Sequence, residues 1–285
     1  MNLTQKRWWP AFKRIVSLIY LGIIAWLLIV LARDLDWSKV VTTVFSMPPL
    51  VFASAVLLAS ISHLVYSSFD LIGRHYTRHR LTSLRVIAVT FVSYVGNLNF
   101  GALLGGIGLR QRIYSRFGLP LSTIAKIAGL SMVTNWLGYL FLVALLLIGP
   151  TYASLAPEYL PGEQMARALG VGMLAGVVCY LALCWRRGGR DVWPGRYLPL
   201  RVPSIRMALT QLCVATLNWS IMALVIYRLL DAQIQFDQVL LTLLAAAIAG
   251  VIAHIPGGLG VIEATFVLLL GGWVAREELL GVVIA

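Results

Sequence analysis

In this 285-residue chain the residues best suited to chemistry follow two short glycine strings. In "GALLGGIGLRQRIYSR", residues 101–116, Gly101, Gly105, Gly106 and Gly108 lead into Arg110, Arg112 and Arg116. A guanidinium just past a glycine turn offers a planar fork that grips a phosphodiester in bidentate fashion. The same arginines would also serve as basic anchors whose heads reach the membrane interface, and the residue types leave both readings open. In "IPGGLGVIE", residues 255–263, Pro256, Gly257, Gly258 and Gly260 lead to Glu263. An ionised carboxylate in so apolar a run is expensive, so it needs a role: an arginine partner, a coupling proton, or a headgroup amine. Asn97 and Asn135 add amides that suit a cavity wall or hydrogen bonds between helices.

Other polar residues read differently. His75 and His79 have the i, i+4 spacing of metal ligands, but the surrounding arginines repel a cation, so no metal is expected there. Asp70 precedes Arg74 by four positions and is expected to pair with it along a helix. His63 and His254 are expected to bond nearby backbone. Cys179, Cys184 and Cys213 all lie in apolar runs and suggest neither disulfides nor zinc. With no nucleophile–base pair, no His-x-x-Glu-His string and no Asp-rich cluster in view, the sequence points away from an enzyme and calls for no cofactor.

The elements that must position these groups are membrane helices. Hydrophobic residues make up 60% and charged residues 12%, where soluble domains carry about a quarter charged; mean hydropathy is +0.86. Apolar runs occur at 15–32, 49–72, 123–149, 168–185 and 207–230. They are continuous rather than alternating, so they read as helices and not barrel strands. The first follows four basic residues and lacks a small-x-small cleavage site, so it reads as a retained anchor. Two more segments, 86–106 and 238–273, are apolar but broken by Gly, Asn or Pro.

The net charge of +12 sits in short loops: residues 1–14, 73–85 and 109–126 carry +4 each and 186–206 carries +5, against −1 for 150–167 and −2 for 231–237. This clustering follows the positive-inside rule, with the N-terminus cytoplasmic and Glu158 and Glu163 in an outer loop. It implies contact with anionic lipid, not nucleic acid. A full crossing by 86–106 would place Arg110, Arg112, Arg116 and Lys126 outside. A re-entrant hairpin turning within "NLNFGALLGG" keeps them inside. Three crossings then separate the broken segments, which enter from opposite faces. Aligning Gly105 with Gly257 pairs 86–104 with 238–256. The expected fold is an all-α polytopic helical bundle, a single domain over 1–285, with two re-entrant, glycine-broken segments in an inverted repeat. The first repeat covers about 49–149 and the second about 207–285, which lacks the final crossing that the first would predict.

"GGIGLRQRIYSRFGLP", "SMVTNWLGY" and "HIPGGLGVIEATFVLLL" together resemble the membrane domain shared by bacterial lysylphosphatidylglycerol synthase/flippases and stand-alone YbhN-like inner membrane proteins. The resemblance spans nearly the whole chain. It implies a bacterial inner membrane location and the handling of phospholipid between leaflets, with Gly105, Gly106, Gly108, Arg110, Pro256, Gly257, Gly258, Gly260 and Glu263 as site candidates. The aminoacylating members carry a soluble catalytic domain that no segment here resembles, so lipid aminoacylation is not expected. A flippase-like protein for anionic phospholipid is thus the leading expectation. An accessory or scaffold subunit and a membrane-embedded enzyme on a lipid phosphate are the alternatives. The sequence fixes no oligomeric state.

Overall fold

The computed structural model describes residues 36–155, 161–193, 200–231, 233–253, 258 and 260–285. The expected anchor at 15–32 and the basic segment before it lie outside the described residues, as do Glu158, His254, Pro256 and Gly257. The described part is helical: α1 Trp37–Ser46, α2 Pro49–Ser67, α3 Phe69–Thr77, α4 Ser83–Gly101, a π-helical segment Ala102–Gly108, α5 Leu109–Arg116, α6 Leu121–Ile148, α7 Thr151–Leu155, α8 Glu163–Arg187, α9 Ile205–Leu229, α10 Phe236–Ala253, α11 Val261–Leu270 and α12 Arg276–Ile284. Strands β1 Asp191–Trp193 and β2 Leu200–Arg201 form a small antiparallel ladder between α8 and α9.

Among the described residues five helical stretches are long and apolar enough to cross a membrane: Pro49–Thr77, α6, α8, α9 and α10. The longest holds 29 residues and the shortest 18, or ~44 and ~27 Å at ~1.5 Å per residue, which brackets a ~30 Å hydrocarbon core. Large apolar side chains such as Leu50, Leu57, Leu84 and Trp185 are exposed, as a lipid-facing surface requires. The core lies where α6, α9, α10 and α11 meet, around Tyr139, Trp219, Leu244 and Phe266. Gln211, fully buried in α9, accepts from Tyr180 Oη of α8 at 2.7 Å and donates to Thr134 Oγ1 of α6 at 2.9 Å. This relay satisfies both ends of the buried amide.

The first broken segment is a helical hairpin. Helix α4 runs unbroken past Asn97 and Asn99, so the break falls at Gly101 and not at the Gly105-Gly106 pair. There φ reaches +79°, a left-handed conformation suited to glycine. The π-helical segment and α5 return antiparallel along α4, so that Val89 packs with Tyr114. Gly105 lies directly on Gly96: a Cβ on Gly105 would fall 1.8 Å from the Gly96 carbonyl oxygen. At Gly105 only glycine permits so close a backbone approach.

The second broken segment also folds back. Helix α11 packs along α10, and a Cβ added to Gly250 would lie 3.6 Å from the Gly258 Cα. Gly258 and Gly260 both have positive φ, 67° and 79°. The two hairpins open at opposite ends of α6. Tyr114, near the end of the first, packs with Ile124 at the start of α6. Asp237, at the start of the second, accepts from Thr151 Oγ1 at 2.6 Å, just past the end of α6.

Candidate functional site

The ionisable groups nearest the first glycine turn form a buried cluster. Arg110 on α5 is 4% exposed and Asp70 on α3 is 0% exposed. Arg110 Nε donates to Asp70 Oδ2 at 3.1 Å and Oδ1 at 3.3 Å. One terminal nitrogen donates to the Gly106 carbonyl and the other to Ser131 Oγ of α6, at 3.3 and 3.2 Å. Tyr114 Oη donates to Asp70 Oδ2 at 3.0 Å. Charged partners offset a desolvation penalty of several kcal/mol per ion only when further hydrogen bonds support them, and here every guanidinium nitrogen and both carboxylate oxygens have a partner. The cluster therefore ties α3, α5 and α6 together beneath the glycine turn.

The expected Asp70–Arg74 pair does not form. Asp70 faces inward to Arg110, while Arg74 Nε donates to the Leu81 carbonyl at 2.7 Å and a terminal nitrogen donates to Ser83 Oγ at 3.2 Å. The loop after α3 carries an unpaired backbone acceptor within the guanidinium's reach, and the inward-facing carboxylate has a better-buried partner.

The other candidates are dispersed. Arg112 is exposed on the opposite side of α5. Asn97 is half-buried, its Oδ1 3.0 Å from where a Gly106 Cβ would sit, and Gly108 joins the π-helical segment to α5. Asn135 is half-buried on α6, and its backbone carbonyl accepts from Trp219 Nε1 at 3.4 Å. Glu263, in the first turn of α11, is half-buried; its Oε2 is buried with no hydrogen-bond partner among the described residues. His63 Nδ1 lies 3.2 Å from the Ala59 carbonyl, the backbone bond expected of it. Among the described residues no group of three or more His, Cys, Asp or Glu is placed to hold a metal ion.

Residues 17–285 match the family described as the lysylphosphatidylglycerol synthase TM region. The chain belongs to this family. It is 38% identical over 273 residues to the inner membrane protein YbhN of Escherichia coli K12, covering 95% of this chain and 85% of that one. It is 25% identical over 254 residues to the uncharacterised protein slr0712 of Synechocystis, covering 87% and 77% respectively.

In this member of the lysylphosphatidylglycerol synthase TM-region family, several residues that complete the cluster escaped sequence reasoning. Tyr114 and Ser131 are ordinary helix residues until the hairpin brings them to Asp70 and Arg110. Gly96 had a faint signal, a glycine nine positions before Gly105, which gains meaning only once the chain is known to reverse. Asp70 had the clearest signal, a carboxylate in an apolar run, but the nearer arginine captured the reading.

Proposed function

We propose that this protein is a flippase-like member of its family in the bacterial inner membrane, handling anionic phospholipid between leaflets without altering it chemically. The observation that carries the reading is the pair of glycine-turned hairpins opening at opposite ends of α6, one bearing Arg110 and the other Glu263. Backbone that reverses at membrane depth is tolerated where protein or water surrounds it, and paired elements of this kind form substrate sites in inverted-repeat transporters. On this reading both hairpins are re-entrant, and the end carrying the basic loops faces the cytoplasm, with the N-terminus on the same side.

Asp70 would occupy Arg110 in the resting protein. A phosphodiester reaching the cluster would then compete for the guanidinium fork while Ser131 and the Gly106 carbonyl hold it in place. Glu263 would receive a headgroup amine or a coupling proton on the other hairpin.

The test is a leaflet-resolved assay on vesicles reconstituted with purified protein, using fluorescent phosphatidylglycerol and a quencher impermeant to the bilayer. Protein-dependent loss of the protected fraction is expected. Loss no faster than in protein-free vesicles would overturn the reading.

A further inference from the structure

Apart from the hairpins, two loops distant in sequence meet at the basic end of the bundle. Tyr76 Oη on α3 donates to the Arg201 carbonyl at 2.8 Å and accepts from the Arg201 backbone N–H at 2.7 Å. Beside this contact lies a cavity of about 500 Å³. Its lining includes Arg74, His75, Arg78, His79, Arg201 and Ser204, and among the described residues no carboxylate. Ser204 caps α9, so the amino end of a 25-residue helix adds its partial positive charge. Of the acidic residues nearby, Asp70 is bonded to Arg110, and Asp191 stands across the ladder from Arg201 in Cα register.

The carboxyl end of α3 accounts for part of this charge, since Arg74 and His75 in its last turn complement the helix dipole. It does not account for Arg78, which follows that turn at φ 54°. An arginine in the left-handed region carries a backbone cost that asparagine or glycine there would lower. Nor does it account for His79. Its Nδ1 accepts from the Leu81 N–H at 3.3 Å, which leaves the neutral ring's proton on Nε2. That Nε2 is buried and has no hydrogen-bond partner among the described residues. Burial, followed by the charge of Arg74, holds the imidazole below its ordinary pKa and thus neutral. A buried donor without an acceptor is costly, and a turn of the ring toward the cavity that His79 lines would let an anion's oxygen satisfy it.

We propose that this pocket is a binding site for a phosphate group, distinct from the Asp70–Arg110 cluster, with Arg74, Arg78 and His79 as its donors. A lipid phosphomonoester at the interface and a soluble phosphate share the required chemistry. Occupancy of the pocket does not depend on lipid crossing the membrane.

The full chain in phosphatidylcholine nanodiscs is titrated with inorganic phosphate and, separately, with dihexanoyl phosphatidic acid. Binding is read from 31P line broadening and from the thermal unfolding midpoint. Wild-type protein is expected to bind at least one probe; inorganic phosphate alone sufficing identifies a soluble ligand, and response only to the short-chain lipid identifies a headgroup. Arg78→Asn should weaken binding about tenfold, the worth of one charge-assisted hydrogen bond, while the probe-free midpoint stays level or rises. Arg78→Gln should give the same loss with the side chain's length kept. Arg167→Gln, which removes an equal charge from an exposed pair with Glu163, should bind as wild type. Failure of wild type to bind either probe, or wild-type affinity in both Arg78 variants, would overturn the proposal.

Discussion

In the first hairpin a buried ion pair, a tyrosine and a serine fasten the returning limb to α3 and α6, whereas in the second the returning limb is fastened by Phe266, Leu269 and Leu270 in an apolar core. The glycines differ in the same sense. Gly105 touches Gly96 at a distance no side chain could share, and Gly250 stands off Gly258 by ordinary van der Waals contact. The first hairpin is therefore specified by directional contacts that cannot slide. The second is held by packing that tolerates small shifts, with a carboxylate oxygen left over. Similar glycine strings thus give one element specified by directional contacts and one held by apolar packing.

The sharpest way to break this comparison is to add one methyl group to each hairpin. Gly105→Ala drives a Cβ into backbone that cannot move aside, so a loss of roughly 4 kcal/mol or more and poor recovery of monodisperse protein are expected. Gly250→Ala should be neutral or stabilising by ~0.5–1 kcal/mol, because alanine favours helix and its Cβ makes only an ordinary van der Waals contact with Gly258. Fluorescence-detected size exclusion with thermal challenge measures both. Equal damage from the two substitutions would erase the distinction.

Next in size is the ion pair. Asp70→Asn leaves a buried guanidinium without its counter-charge, and a loss of ~3–5 kcal/mol is expected. Asp70→Asn combined with Arg110→Gln should be less damaging than the sum of the single changes, by ~0.5–3 kcal/mol of coupling. Tyr114→Phe removes one hydrogen bond to the carboxylate, for about 1.5 kcal/mol. The smallest stability effect is expected at Glu263, where Glu263→Gln should stay within ~0.5 kcal/mol of wild type. Lipid transfer at unchanged protein abundance should nonetheless fall, which separates a functional carboxylate from a structural one.

Much of the helical plan was legible because lipid imposes long uninterrupted apolar runs, and Gly101 lay inside the string expected to turn. What escaped notice depended on long-range contact. Asp70 and Arg110 are 40 positions apart and Tyr76 and Arg201 are 125 apart. Local spacing rules favoured Arg74 as the carboxylate's partner, since an i, i+4 neighbour is always within reach on a helix. The sequence does not say which way a helix faces, and Asp70 faces the bundle interior. Likewise Arg112 stood beside Arg110 as a candidate, yet two residues around a helix is far enough to move one from the core to the surface.

The central claim is that the two hairpins open to opposite faces of the membrane, and cysteine accessibility tests it most directly. In a background with Cys179, Cys184 and Cys213 replaced by alanine, Ser115→Cys marks the first hairpin's end, His75→Cys the end of α3, and Gln233→Cys the second hairpin's start. In intact cells and then in inverted vesicles, an impermeant maleimide is expected to label Ser115→Cys and His75→Cys from the cytoplasmic side only. It is expected to label Gln233→Cys from the outer side only. Labelling of Ser115→Cys and Gln233→Cys from one and the same side would contradict the account.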